Sequence, residues 1–236
     1  MNKPITLGII IARGGSKGVE RKNIKKLRGK PLLVYTINDA KNSILLDRII
    51  LSTEDKEIAE IGKKNDVEVI MRPKEYAVDT APMEIALQHV VGELEKQGVV
   101  INTIVTLYGC VPIRKKGIID KVINEMHQTK ATSVQTYSPA TKPPQMACRI
   151  VDGKPSMLEE KYNEIFRRQQ LEPAYYADGA VIAYDYKTLM RNKTYDQKAC
   201  LGNDTRAIIQ SPEDTVDINE PFDMLWAEFI MERIER

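Results

Sequence analysis

Short runs of β-branched and aliphatic residues alternate along the chain with longer stretches in which apolar side chains recur every three or four positions. The first kind predicts strands at residues 6–12, 48–52, 67–71, 102–107, 132–137, 179–184 and 206–210. The second kind predicts helices at 31–42, 54–65, 82–97, 116–129 and 220–234. Segments such as LGIIIA and TIVTL are apolar without interruption, which suits strands buried on both faces beneath crossover helices. The pattern predicts an α/β fold: an open, mostly parallel sheet flanked by helices.

Ligands of such sheets bind beyond the carboxyl ends of the strands. Residues 13–23, 52–53, 72–80 and 108–114 therefore form one predicted active rim. Between 139 and 178 the rhythm breaks into TKPPQM, a polar turn at Asp152-Gly153, LEEKYNEIFRRQQ and EPAYY. That stretch is long for a simple loop and partly apolar, so it reads as an arm that packs on a partner subunit. With no internal repeat, low-complexity tract or flexible linker, 1–236 reads as a single domain containing this arm.

Composition narrows the classes. Lysine plus arginine is 35 and aspartate plus glutamate 33, a net charge of +2, so no global field draws the chain to nucleic acid or membrane and any anion site is local. Cys110, Cys148 and Cys200 lack metal-ligand spacing and read as free thiols of a reducing compartment. The apolar start MNKPITLGIIIA is too short for a signal peptide or a membrane span, so the expected location is the cytoplasm.

The densest chemistry lies in residues 10–24, IIARGGSKGVERKNI. Gly14, Gly15 and Gly18 permit positive φ and close backbone approach, while Arg13, Lys17, Arg21 and Lys22 offer charge-assisted contacts; together they suit a triphosphate. The spacing is neither that of a GxxxxGK[ST] loop nor of GxGxxG. Asp217 and Asn219, two apart in an extended segment, present their side chains to the same side and could hold a cation, or Asn219 could cap the helix that follows. Asp79 stands on the rim or caps the next helix, His89 and His127 read as packing or surface residues, Arg167 and Arg168 as a solvated run or a carboxylate site, and Tyr175 and Tyr176 as packing.

These motifs together resemble the CMP-sialic acid synthetase family, the cytidylyltransferases that activate nine-carbon acidic sugars. IIARGGSKGVERKNI is similar to its first signature, and KPLLVYTI to the helix that follows. RPKEYAVDTA resembles its nucleobase segment, FRRQQLEPAYYADGAV its dimer-arm motif, and VDINEPFDM its metal-binding segment, all in order along nearly the whole chain. The resemblance implies a nucleotide-diphospho-sugar transferase-like, Rossmann-like fold acting on CTP and a nine-carbon sugar acid, with Mg2+ as cofactor and a homodimer as the assembly. By position, Arg13 and Lys22 would hold phosphates, Gly14, Gly15 and Ser16 would supply donors, and Asn23 would contact the nucleotide. Arg72 and the Ala81 backbone would read cytosine, Arg168 with Gln169 would reach the sugar across a dimer interface, and Asp217 with Asn219 would bind the metal.

Four departures mark a divergent member. Tyr108 stands where a sugar-contacting glutamine is expected, with Cys110-Val111 in place of hydroxyl residues; Pro82-Met83 replace serines; Asp178 replaces an asparagine and adds charge near the pocket; and Asn219 replaces a second carboxylate. Transfer to another sugar acid or a sugar alcohol phosphate, or nucleotide binding without turnover, stay open at this point.

Overall fold

The computed structural model describes residues 3–158, 167–193 and 197–234. Seven strands form one sheet: β1 (Ile5–Ile11), β2 (Arg48–Thr53), β3 (Glu68–Met71), β4 (Ile101–Tyr108), β5 (Ser133–Pro139), β6 (Tyr175–Asp185) and β7 (Thr205–Ile209). Their spatial order is β7-β5-β6-β4-β1-β2-β3. β1 pairs in parallel with β2 and β4, β2 with β3, and β5 with β7; β6 alone runs antiparallel, to β4 and β5. The sheet is open and mostly parallel, as the apolar runs predict.

Alternation along β1 explains why its sequence shows no polar face. Leu7 and Ile9 join one core with Ile104 of β4 and with Leu87 and Val90, while Ile10 joins the opposite core with Val105 and with Leu33 and Ile37. The crossover helices α1 (Leu32–Asn42), α2 (Lys56–Lys64), α3 (Met83–Glu95) and α4 (Ile118–Thr129) cover the two faces. α2 starts where it does because Asp55 accepts hydrogen bonds from the amides of Glu57 and Ile58, at 2.9 and 3.0 Å. Two further helices, α5 (Tyr186–Arg191) and α6 (Gln197–Leu201), are too short to show a period in the sequence. The closing helix α7 (Pro221–Ile234) packs Ala227 and Ile230 on Val19, Ile113 and Ile218. Among the described residues no helix is long and apolar enough to cross a membrane.

Within the predicted arm, the strands Cys148–Val151 and Lys154–Met157 form a hairpin. Asp152 and Gly153 turn it with φ of 49° and 74°, the left-handed pair such two-residue turns require. β6 itself begins in the arm, at Tyr175, four residues before the predicted start. Residues 159–166 of the arm lie outside the described residues.

One short ribbon matters more than its size suggests. Ile113–Arg114 pairs with Thr215–Val216, and the Ile218 amide donates to the Cys110 carbonyl at 3.1 Å, which brings residues 217–219 to the end of β4. Arg114, its side chain only 1% exposed, donates to the carbonyls of Tyr108, Val111 and Ala180 at 2.8, 2.7 and 2.8 Å and to Thr36 Oγ1 at 3.0 Å, with Asp39 at 3.4 Å. Burial lowers its pKa, and the neighbouring Asp39 carboxyl is raised by its own burial against the pull of Arg114. Arg114→Met should therefore lower stability by about 3 kcal/mol in urea denaturation, because three carbonyls lose their donor together.

Candidate active site

The strand order changes direction between β1 and β4, and a cavity of about 300 Å³ opens beyond their carboxyl ends. Arg13, Lys22, Asn23, Arg72, Ala81 and Tyr108 line it, so six of the predicted site residues converge on one space. Tyr76, Asp79, Met83 and Cys110 are also in its walls.

The loop after β1 reaches the cavity by close approach, without left-handed glycines. None of Gly14, Gly15 and Gly18 has positive φ; the left-handed residue is Arg21, at 48°. A side chain on Gly18 would lie 2.0 Å from the Asn219 carbonyl, and one on Gly14 would lie 2.5 Å from Asp55 Oδ2, whereas Gly15 faces open space. Two of the three glycines are thus needed because other backbone or a capping carboxylate passes beside them.

The loop's four cations, Arg13, Lys17, Arg21 and Lys22, all have partners. Lys22 Nζ donates to the Ile218 carbonyl at 2.8 Å and to Asn219 Oδ1 at 3.1 Å. Arg21 pairs with Asp55 and Glu57 at 3.2 and 2.8 Å. Burial pushes the Asp55 carboxyl up, but the amides of Ile58 and Glu57 and the Arg21 guanidinium outweigh it and hold the group below the usual carboxylate range. Asn23, 3% exposed, donates to the Arg13 carbonyl at 2.8 Å, yet its Oδ1 and the buried Ser16 Oγ have no protein partner. Asn23 lines the cavity and Ser16 does not, so of the two orphaned atoms it is the Asn23 oxygen that suits a ligand supplying the missing bond.

Gly14 departs from its expected role: its amide donates to Glu54 Oε1 at 2.7 Å. Glu54 also accepts from Arg72 Nη2 at 3.0 Å, in a pair whose side chains are 5% and 13% exposed. Burial lowers the pKa of Arg72, partly offset by Glu54, so the carboxylate is needed where it stands and keeps the Gly14 amide from the cavity. Glu54 escapes the sequence reading because the predicted rim stops at residue 53. Asp79 does not cap α3, whose N-cap is Pro82 without a side-chain bond; it pairs with Arg13 and Lys17.

Opposite the loop, Asp217 Oδ1 accepts from the Cys110 thiol at 3.1 Å and Oδ2 from Asn219 Nδ2 at 2.9 Å. The Asn219 side chain bonds Lys22 and Asp217 and not the start of α7, where Asp223 in the first turn reaches back to accept from the amides of Asn219 and Glu220 at 2.7 and 2.8 Å. No group of three histidine, cysteine, aspartate or glutamate side chains suited to a metal occurs among the described residues. The donors fit a hard cation that takes one protein carboxylate, Asp217, and completes its shell with phosphate oxygens and water. Asn219 turns its NH2 toward Asp217 and its oxygen toward Lys22, so it positions the carboxylate and the ammonium.

Other expectations part from the geometry. Asp178 does not line the cavity: its carboxylate accepts from Thr136, Ser138, Gln210 and the Ala180 amide inside the fold. Gln169 is exposed and lines no part of the cavity, and the side chain of Arg168 lies outside the described residues. His89 stands edge-on to Tyr76, 5.7 Å between ring centres, and Tyr76 lines the cavity, so this histidine supports the wall. Tyr176 is exposed and donates to the Lys142 carbonyl. A buried carboxyl the sequence reading missed, Glu84 in the first turn of α3, is raised by burial.

The glycines give a direct check. Gly15→Ala should stay within about 0.5 kcal/mol of the parent in thermal denaturation, whereas Gly18→Ala should cost about 1–3 kcal/mol because a backbone carbonyl must move.

Known proteins resemble the chain in sequence and in fold. Residues 7–209 match the family described as Cytidylyltransferase. Pseudaminic acid cytidylyltransferase of Campylobacter jejuni is 31% identical over 175 residues, 74% of this chain and 75% of that protein. CMP-N,N'-diacetyllegionaminic acid synthase of Legionella pneumophila is 26% identical over 231 residues, 96% of each chain. The solved structure of CMP:2-keto-3-deoxy-manno-octonic acid synthetase complexed with CTP shares the fold, with a TM-score of 0.72 at 15% identity over 98% of this chain and 99% of that one. The chain belongs to the cytidylyltransferase family.

Proposed function

We propose that this protein transfers CMP from CTP to the anomeric hydroxyl of a nonulosonic, sialic-acid-like sugar acid and releases pyrophosphate. The observation that carries the reading is the convergence of Arg13, Lys22, Asn23, Arg72, Ala81 and Tyr108 on one cavity at the strand-order switch, in a chain whose relatives are named for CMP transfer to such acids. The hydroxyl oxygen bonds to the α-phosphorus as the bond to the β-phosphate oxygen breaks. Such a reaction needs in-line positioning and charge neutralisation more than covalent help.

Each residue then has a task. Arg13 and Lys22 bind phosphate oxygens, with Gly15 and Ser16 beside them, while Asn23 offers its unpaired oxygen to the nucleotide. Arg72 and the Ala81 backbone meet the base. Magnesium, held by Asp217, supplies neutralising charge to the phosphates when bound. Burial, with Asp217 and Glu84 nearby, raises the Tyr108 phenol well above its ordinary value, so Tyr108 serves the sugar as a hydrogen-bond donor and not as a base. Burial, with Asp217 beside it, pushes the Cys110 thiol up to about 12, so it stays protonated and is no nucleophile.

The assembly we propose is a homodimer through the arm, with Arg168 and Gln169 reaching the partner's sugar. Met146, Ile150, Val151, Leu158, Tyr175 and Tyr176 are all exposed, and a two-stranded hairpin is marginal without something to pack on. Magnesium-supported pyrophosphate release from CTP with a nonulosonic acid tests the activity. Arg13→Ala and Lys22→Ala should each lower kcat/KM by roughly 10²–10³ while the melting temperature barely changes. CTP binding with no release for any sugar acid overturns the transfer. Sedimentation should show a dimer that Ile150→Arg dissociates; a parent monomer overturns the arm's role.

A further inference from the structure

Two cations of the glycine loop close on a single carboxylate. Arg13 Nη1 lies 2.8 Å from Asp79 Oδ1, and Lys17 Nζ lies 2.6 Å from Asp79 Oδ2. Arg13 and Lys17 follow β1, whereas Asp79 belongs to the stretch between β3 and α3, and Arg13 and Asp79 both line the cavity. The contact therefore joins two walls of the site. One oxygen to each cation is also how two oxygens of a phosphate would meet the same pair. Asp79 has no helix end to cap, and the Arg13 and Lys17 contacts account for where it sits.

We propose that Asp79 is a built-in occupant of the phosphate seat. Arg13 and Lys17 form an anion-binding pair for the nucleotide's phosphates, and Asp79 fills it, holding residues 74–81 against the loop until a triphosphate takes its place. The inference rests on the nucleotide reading above and adds to it a competitor for the phosphates, Asp79. The Arg13, Lys17 and Asp79 side chains are 36%, 84% and 44% exposed, so water screens both pairs and the exchange is cheap. A triphosphate carries several charges against the single charge of Asp79 and wins the seat. Because the freed segment includes Ala81, at the base-side wall, arrival of the phosphates also releases the wall that the base must meet. Apparent affinity for phosphates is then the intrinsic affinity reduced by the fraction of protein in which the seat is open.

The test measures binding of inorganic triphosphate and of CTP with magnesium by calorimetry, in parallel with hydrogen exchange of residues 74–81. Asp79→Asn should bind inorganic triphosphate roughly 3- to 10-fold tighter than the parent, and the segment should exchange faster in the ligand-free variant. Glu75→Gln, an equal charge change at an exposed side chain of the same segment, should shift affinity by less than about 2-fold. In the double variant Lys17→Ala/Asp79→Asn most of the gain should vanish. Unchanged or weaker triphosphate binding by Asp79→Asn, an equal gain from Glu75→Gln, or unaltered exchange overturns the proposal. If Asp79→Asn tightens triphosphate binding and no variant binds CTP, the occupant stands and the nucleotide reading falls.

Discussion

Parallel pairing of β1 on both of its edges is the constraint from which the rest follows. A strand flanked in parallel by β2 and β4 needs long crossovers on both sides, and those crossovers bury both of its faces. All three strands then end at the same edge, so the loops after Ile11, Thr53 and Tyr108 are delivered together. Divergence of the crossovers at β1 and β4 keeps one gap between these loops open, and the cavity occupies it. Position in the sheet, before any side chain is considered, puts the glycine loop beside the wall that residues 76–81 contribute.

Charge is the second organiser. Four cations in one loop of a chain with net charge +2 need local partners, and the fold supplies them from neighbouring segments: Asp55 and Glu57 at the start of α2 for Arg21, Asp79 after β3 for Arg13 and Lys17, and the Ile218 carbonyl with Asn219 for Lys22, while Glu54 beside them pairs with Arg72. These acids do unequal work. Asp55 caps a helix and Glu54 offsets the burial of Arg72, so both belong to the framework. Asp79 holds nothing but the cations, which is why it is the one that yields. On the opposite side Arg114 plays the reverse part: it is a buried cation whose hydrogen bonds go mainly to carbonyls, and it shapes the turn that carries Tyr108 and Cys110.

Residues that depart from the family resemblance fall into two physical groups. Tyr108 and Cys110 alter the cavity itself, replacing expected polar contacts with a phenol and a protonated thiol. Asp178 and Asn219 are absorbed: the first is satisfied by four donors inside the fold, and the second links Lys22 to Asp217.

The sequence by itself determined the strands, the long helices and the edge at which ligands bind, because two-sided burial writes itself into uninterrupted apolar runs and helical covering into a three-to-four residue period. It also located the glycine and cation loop, since glycines and basic residues are concentrated there without a gap. What it could not state is partnership across distance. That Gly14 gives its amide to Glu54, that Gly18 is needed by the Asn219 carbonyl, and that Asp79 closes on Arg13 and Lys17 are facts about residues 40 to 201 positions apart or on different loops. Only the tertiary structure decided them, because hydrogen bonds and ion pairs form over a few ångströms of space and leave no period along the chain.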